Sequence, residues 1–64
     1  MIRCGAIVEN PEQRENLLHC LSILGVQPCI YKDSVCLYVP ENDDRAEKII
    51  ELFEQYTRHE IHYE

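Results

Sequence analysis

The sequence predicts an α+β fold of the ferredoxin-like type, a βαββαβ sandwich in which two helices cover one face of a four-stranded antiparallel sheet ordered 4-1-3-2. Three observations predict it. Apolar residues alternate with a period of two in four short segments, and they recur every three or four residues in two longer ones. The order of these patterns is strand, helix, strand, strand, helix, strand, with almost no loop to spare in 64 residues. A chain of this length forms one domain, residues 1–64, and buries only about 60% of its unfolded surface, which makes association with a second copy an attractive source of stability.

Each element has its own justification. Ile2, Cys4, Ala6 and Val8 alternate with Arg3, Gly5 and Ile7, the signature of a strand with one buried face. Asn10 then supplies a cap, Pro11 occupies the first helical position, and Gln13 stands where a capping box requires it. Leu17, Leu18, Leu21 and Leu24 form the inward stripe of this helix, and Gly25 provides the positive φ that ends it. Val26, Pro28 and Ile30 alternate with Gln27, Cys29 and Tyr31 as the second strand, and Lys32-Asp33 turns the chain into a third. There Val35, Leu37 and Val39 alternate with Ser34, Cys36 and Tyr38 until Pro40 closes the strand. Asn42 or Asp43 is expected to cap a second helix with Ala46, Ile49, Ile50 and Phe53 inward, running to about Thr57. Ile61 and Tyr63 against Glu60 and His62 make the last strand, with His59 in the turn before it.

Pro28 bears on the topology, since proline cannot donate to a ladder and is tolerated mainly at a sheet edge. The 4-1-3-2 order puts the second strand at an edge, where Pro28 fits.

Composition narrows the function. Twelve acidic residues against six basic ones give a formal net charge of −6, which opposes binding to nucleic acid and to anionic membranes. Apolar runs are only a few residues long, and the start lacks the basic and apolar regions of an export signal. The expectation is a cytoplasmic protein with reduced thiols rather than a two-disulfide framework of Cys4, Cys20, Cys29 and Cys36. No carboxylate pair, nucleophile–histidine arrangement or glycine-rich phosphate loop can be identified, so no catalytic residue and no cofactor are assigned, and the protein is read as a non-enzyme.

Attention then falls on the sheet face that the helices leave open. Alternation assigns to it Arg3, Gly5, Ile7, Gln27, Cys29, Tyr31, Cys36, Tyr38, Glu60 and His62. Of these, Arg3, Ile7, Cys29, Tyr31, Cys36, Tyr38 and His62 form the candidate interaction face. Tyrosines, thiols and an isoleucine on one small surface have the character of a contact patch. The plainer alternative is an antiparallel sheet with one wet face, where tyrosine is common because it suits strands.

The Lys32-Asp33 turn pairs Tyr31 with Ser34 and sets Cys29 opposite Cys36. Such neighbouring thiols invite redox or metal chemistry, yet neither a C-x-x-C motif nor a histidine spacing accompanies them, and no metal site is assigned. His62, the nearest third ligand, lies on the opposite edge, about 14 Å away at ~4.8 Å per strand, so only a dimer could assemble one. Cys4 and Cys20 read as small core residues, and His19 as a solvent-facing one. Asp43, Asp44 and Glu47 suit the positive end of the second helix, and Glu41–Arg45, Asp44–Lys48 and Glu54–Arg58 have four-residue spacing.

The stretch from Leu17-Leu18 through Gly25-Val26, followed by Leu37-Tyr38-Val39-Pro40 and by Asn42-Asp43-Asp44-Arg45-Ala46 through Ile49-Ile50, resembles a family of small bacterial signal-transducing domains. The resemblance covers about two-thirds of the chain and implies a regulatory α/β module similar in fold to nitrogen-regulatory and amino-acid-sensing domains. It carries over no catalytic residue, and the longer insertion many such domains have between strands two and three is absent. Three functions follow in order: a regulatory or protein-interaction module using its open face as a homodimer; a sensor binding a small molecule or metal at a dimer interface through Cys29, Cys36 and Tyr38; and an acidic inhibitor mimicking nucleic acid.

Overall fold

The computed structural model describes residues 1–64 and has the expected βαββαβ order. The elements are β1 (Ile2–Ile7), α1 (Pro11–Ile23), β2 (Cys29–Tyr31), β3 (Ser34–Val39), α2 (Ala46–Glu54) and β4 (His59–Tyr63). The strands form one antiparallel sheet in the order β2-β3-β1-β4, with β1 and β3 central. This is a ferredoxin-like α+β sandwich. No helix is long and apolar enough to cross a membrane.

A single core lies between the helices and one face of the sheet. Ile2, Cys4, Ala6, Val35, Leu37 and Val39 point into it from the strands, and Leu17, Leu21, Ala46, Ile49 and Phe53 meet them from the helices. Leu18, Leu24 and Ile50 lie at its margin rather than inside. Cys4 is fully buried, and desolvation, with a smaller effect from Cys36, pushes its thiol pKa up. Cys20 is only half-buried.

The N-terminus of α1 follows its sequence signals: the Asn10 side chain accepts from the N–H groups of Glu12 and Gln13 at 2.9 and 3.1 Å, with Pro11 at the first position. At the other end Gly25 adopts φ +77°. The start of α2 is built differently from the simple cap expected. Asp43 Oδ1 accepts from the Arg45 N–H at 2.8 Å, closing a turn one step ahead of the helix, and Ala46 N–H donates to Asp43 O. The Arg45 guanidinium folds back to grip both carboxylate oxygens of Asp43 at 3.0 and 2.8 Å while donating to Leu24 O at 2.9 Å. One arginine thus ties the start of α2 to the end of α1. These bonds hold the Asp43 carboxyl down at about 2.

Several expectations change. α2 ends at Glu54 rather than Thr57, because the Tyr56 N–H turns back to Phe53 O and the Tyr56 hydroxyl bonds Gln13 O of α1 at 3.3 Å. His59 is the first residue of β4 and not part of the preceding turn; Ala6 pairs with it, and its Nδ1 contacts Tyr56 O. β2 starts at Cys29, leaving Val26 to Pro28 as an irregular approach to the edge, with Val26 bonded to Leu21 O. The three four-residue ion pairs do not form: Arg45 takes Asp43, Arg58 takes Glu9, and Glu41 lies near the Met1 ammonium. The two-residue lead-in before α2 displaces Glu41 and Asp44 from helical geometry, and the early end of α2 removes Arg58 from it.

Candidate functional site

With both helices on one side, the opposite face of the sheet is bare, and the register arranges its side chains in three cross-strand rows. Tyr38, Arg3 and His62 form one row, since Arg3 pairs with both of the others. Cys29, Cys36, Gly5 and Glu60 form the second. Tyr31, Ser34 and Ile7 form the third. The register places Arg3, Ile7, Cys29, Tyr31, Cys36, Tyr38 and His62 on this uncovered face, and Cys29 lies opposite Cys36 as the turn geometry requires.

The apolar content is concentrated in Tyr31, Tyr38 and Ile7, which are 72%, 55% and 38% exposed. Lys32 Nζ lies 5.4 Å from the centre of the Tyr31 ring, a cation–π contact at the tip of the hairpin. Lys32 reaches this position from a left-handed backbone, φ 54°, as a two-residue hairpin turn requires.

Gly5 breaks the patch. Having no side chain, it leaves a hollow of about 400 Å³ between Arg3, Ile7, Ser34, Cys36, Arg58 and Glu60. A Cβ here would meet only Val35 O, at 3.8 Å, so the hollow is not enforced by crowding. Two guanidinium groups flank it. Arg3 Nε lies 3.9 Å from Glu64 and Arg58 Nη1 3.3 Å from Glu9, while His62 Nε2 lies 3.7 Å from Glu60. These pairs are exposed, so each contributes little to stability and leaves its charged groups free to exchange partners.

Ser34 and Arg58 line this hollow without having been singled out in the sequence. Ser34 was within reach, because it shares the parity of Cys36 and Tyr38. Arg58 carried no such signal, since it sits in the irregular segment before β4. Ile30, expected to be inward, is 52% exposed because edge strand β2 runs beyond the cover of the helices.

Chemically the face offers phenols, two guanidiniums, an exposed thiol at Cys29 and a half-buried one at Cys36. No three His, Cys, Asp or Glu side chains converge as metal ligands, and His62 lies on the edge opposite Cys29. Comparison with known families, curated proteins and solved structures finds no match for this chain.

Proposed function

We propose that this protein is a non-enzymatic regulatory or protein-interaction module that binds a partner polypeptide through its open sheet face and works as a homodimer. The observation that carries the reading is the exposure of Tyr31, Tyr38 and Ile7 together on the one sheet face no helix covers. Aromatic residues are the anchors of protein interfaces, and here they stand on rigid strands that need little ordering on contact. The excess of negative charge argues against a nucleic acid as the occupant.

Scale supports a regulatory rather than a permanent contact. Four strands at ~4.8 Å and six residues at ~3.3 Å give a footprint of about 400 Å². That is about half of the ~800 Å² per partner typical of a stable complex, which suits brief, reversible docking.

A photo-crosslinking amino acid placed at Tyr38, and separately at Lys48 on the exposed side of α2, tests the proposal in cells. Polypeptide adducts from position 38 that are absent from position 48 support it. Equal labelling from both positions, or none from either, overturns it.

The hollow at Gly5 favours a second reading, a small-molecule sensor, in which a ligand with an anionic group would sit between Arg3 and Arg58 beside Cys36. That reading predicts a ligand-dependent rise in melting temperature in a metabolite screen. A flat response across such a screen counts against it.

A further inference from the structure

We propose that two copies of this chain pair antiparallel along β4, about a two-fold axis through Ile61, so that the two sheets become one of eight strands. The inference deepens the homodimer part of the proposed function and stands whatever the open face binds.

The backbone supplies the first argument. Ile7 N–H donates to Arg58 O, and Glu64 N–H donates to Met1 O, so the even-numbered residues of this segment turn their peptide groups toward β1. In an antiparallel ladder the alternate residues turn theirs the other way. The N–H and C=O groups of His59, Ile61 and Tyr63 therefore face outward along an open edge. Natural sheets usually guard such an edge with proline, lysine, a bulge or a short strand. The other edge is guarded: β2 has three residues, Pro28 precedes it and Lys32 follows it. β4 has five residues, none of them proline or lysine, in unbroken register with β1 from Tyr63 to His59.

The side chains supply the second argument, because the sequence around Ile61 is complementary to itself in reverse. A two-fold axis at Ile61 sets Glu60 opposite His62 of the second copy, and Arg58 opposite its Glu64. All four belong to the open face, and these are the close, non-hydrogen-bonded positions of such a pairing. Sliding the strands by two residues in one direction sets Glu60 against Glu60. Sliding them in the other sets Glu60 against Glu64 and His62 against His62. Of these three registers, the one centred on Ile61 is the only one that sets opposite charges against each other at Glu60.

The helices permit the approach. α2 lies over β1 and β4 alike, so its symmetry mate would sit two strand spacings away, about 10 Å, within the range of packed helices. Arg45 and Tyr56 turn one flank of α2 toward α1. The other flank, with half-buried Ile50 between Glu47 and Glu54, would face the mate. These glutamates repel across the axis and oppose the attractive contacts along β4, and added salt screens both. Pairing also joins the two open faces into one continuous surface, about 400 Å² from each subunit.

Sedimentation equilibrium on the full chain tests the proposal. Tyr63→Pro removes an outward N–H twice per dimer and touches no bond to β1; it should weaken association at least tenfold. Ile30→Pro makes the same change at the β2 edge and should leave association unaltered. In case proline disturbs folding, a charge series provides an independent route: H62E sets a carboxylate against Glu60 of the second copy and weakens the dimer, and E60H/H62E restores it. Slowed amide exchange at Ile61 with rising protein concentration is expected as well. A chain that stays monomeric up to about 1 mM, or a dimer insensitive to Tyr63→Pro and to H62E, overturns the proposal. A dimer lost on Tyr38→Asp but not on Tyr63→Pro overturns it too, while leaving the docking role of the open face intact.

Discussion

Ile49→Val provides a direct measure of how α2 is seated. Ile49 is 0% exposed, enclosed between the helix and the sheet, and the substitution removes one methyl group's worth of that contact. A deletion of this kind costs about 1 kcal/mol, range ~0.5–1.5, from lost transfer energy and the small void left behind. A protein of 64 residues has a total stability of about 3–10 kcal/mol, so the loss is visible without unfolding the chain. At this size it corresponds to a fall in Tm of about 4–8 °C. Ile23→Val is the matched control, the same chemical change at a side chain 71% exposed at the end of α1, where the effect should stay within about 0.5 kcal/mol. The assay is thermal unfolding followed by far-UV circular dichroism, with all proteins at one concentration because association would shift Tm by mass action. If Ile23→Val costs as much as Ile49→Val, or Ile49→Val costs nothing, the helix does not rest on the sheet as described and the argument for a bare opposite face fails.

Four further outcomes are expected. The Asp43 carboxyl is held at about 2 against an ordinary 3.8, chiefly by the Arg45 guanidinium, so its ion pair supports the fold above pH about 3.8 and that support fades as the pH falls toward about 2; Asp43→Asn should lack this increment, and the Tm gap between the two proteins should close on acidification. Gly25→Ala should lower stability by about 1 kcal/mol through its positive φ and not through crowding, since the added Cβ would meet only Arg45 Nη1 at 3.5 Å; Gly25→Asn, which tolerates that conformation better, should lose less. A thiol reagent should modify exposed Cys29 first and reach buried Cys4, whose pKa burial raises, only at the rate of unfolding; rapid labelling of all four cysteines in the native state would contradict the packing. Tyr38→Asp should leave Tm within a few degrees of wild type, because the side chain is outside the core; a large loss would mean that Tyr38 is structural.

The fold was legible because period-two and period-3.6 patterns are imposed by burial on one side, and burial dominates in the interior. Ile2, Cys4, Ala6, Val35, Leu37 and Val39 all point where alternation places them. The face opposite then follows by parity, which is why the residues that line it were recoverable together. What was not legible lies where side chains choose among several polar partners. Arg45 had Glu41 at helical spacing, but the local turn gave it Asp43 in a two-pronged grip with Leu24 O within reach, and no pattern distinguishes these options. The end of α2 escaped for a similar reason, because the chain leaves the helix where the Tyr56 hydroxyl finds Gln13 O on the neighbouring helix. The hollow at Gly5 is a three-dimensional property of the same kind: one of its walls, Arg58, belongs to no periodic element.

The position of β1 at the middle of the sheet also bears on how quickly the chain reaches its native state. Its two neighbours in space, β3 and β4, both come much later in the sequence, and the bond between the Met1 ammonium and Glu64 O joins groups 63 residues apart. Little of the sheet can be gained from local zipping beyond the short β2–β3 hairpin, so loop-closure entropy must be overcome before the main ladders contribute. Despite its small size, the protein is expected to fold on the slower timescale of mixed α/β domains rather than at the microsecond rates of helical bundles, with the docking of the β3 and β4 segments onto β1 as the step that sets the rate.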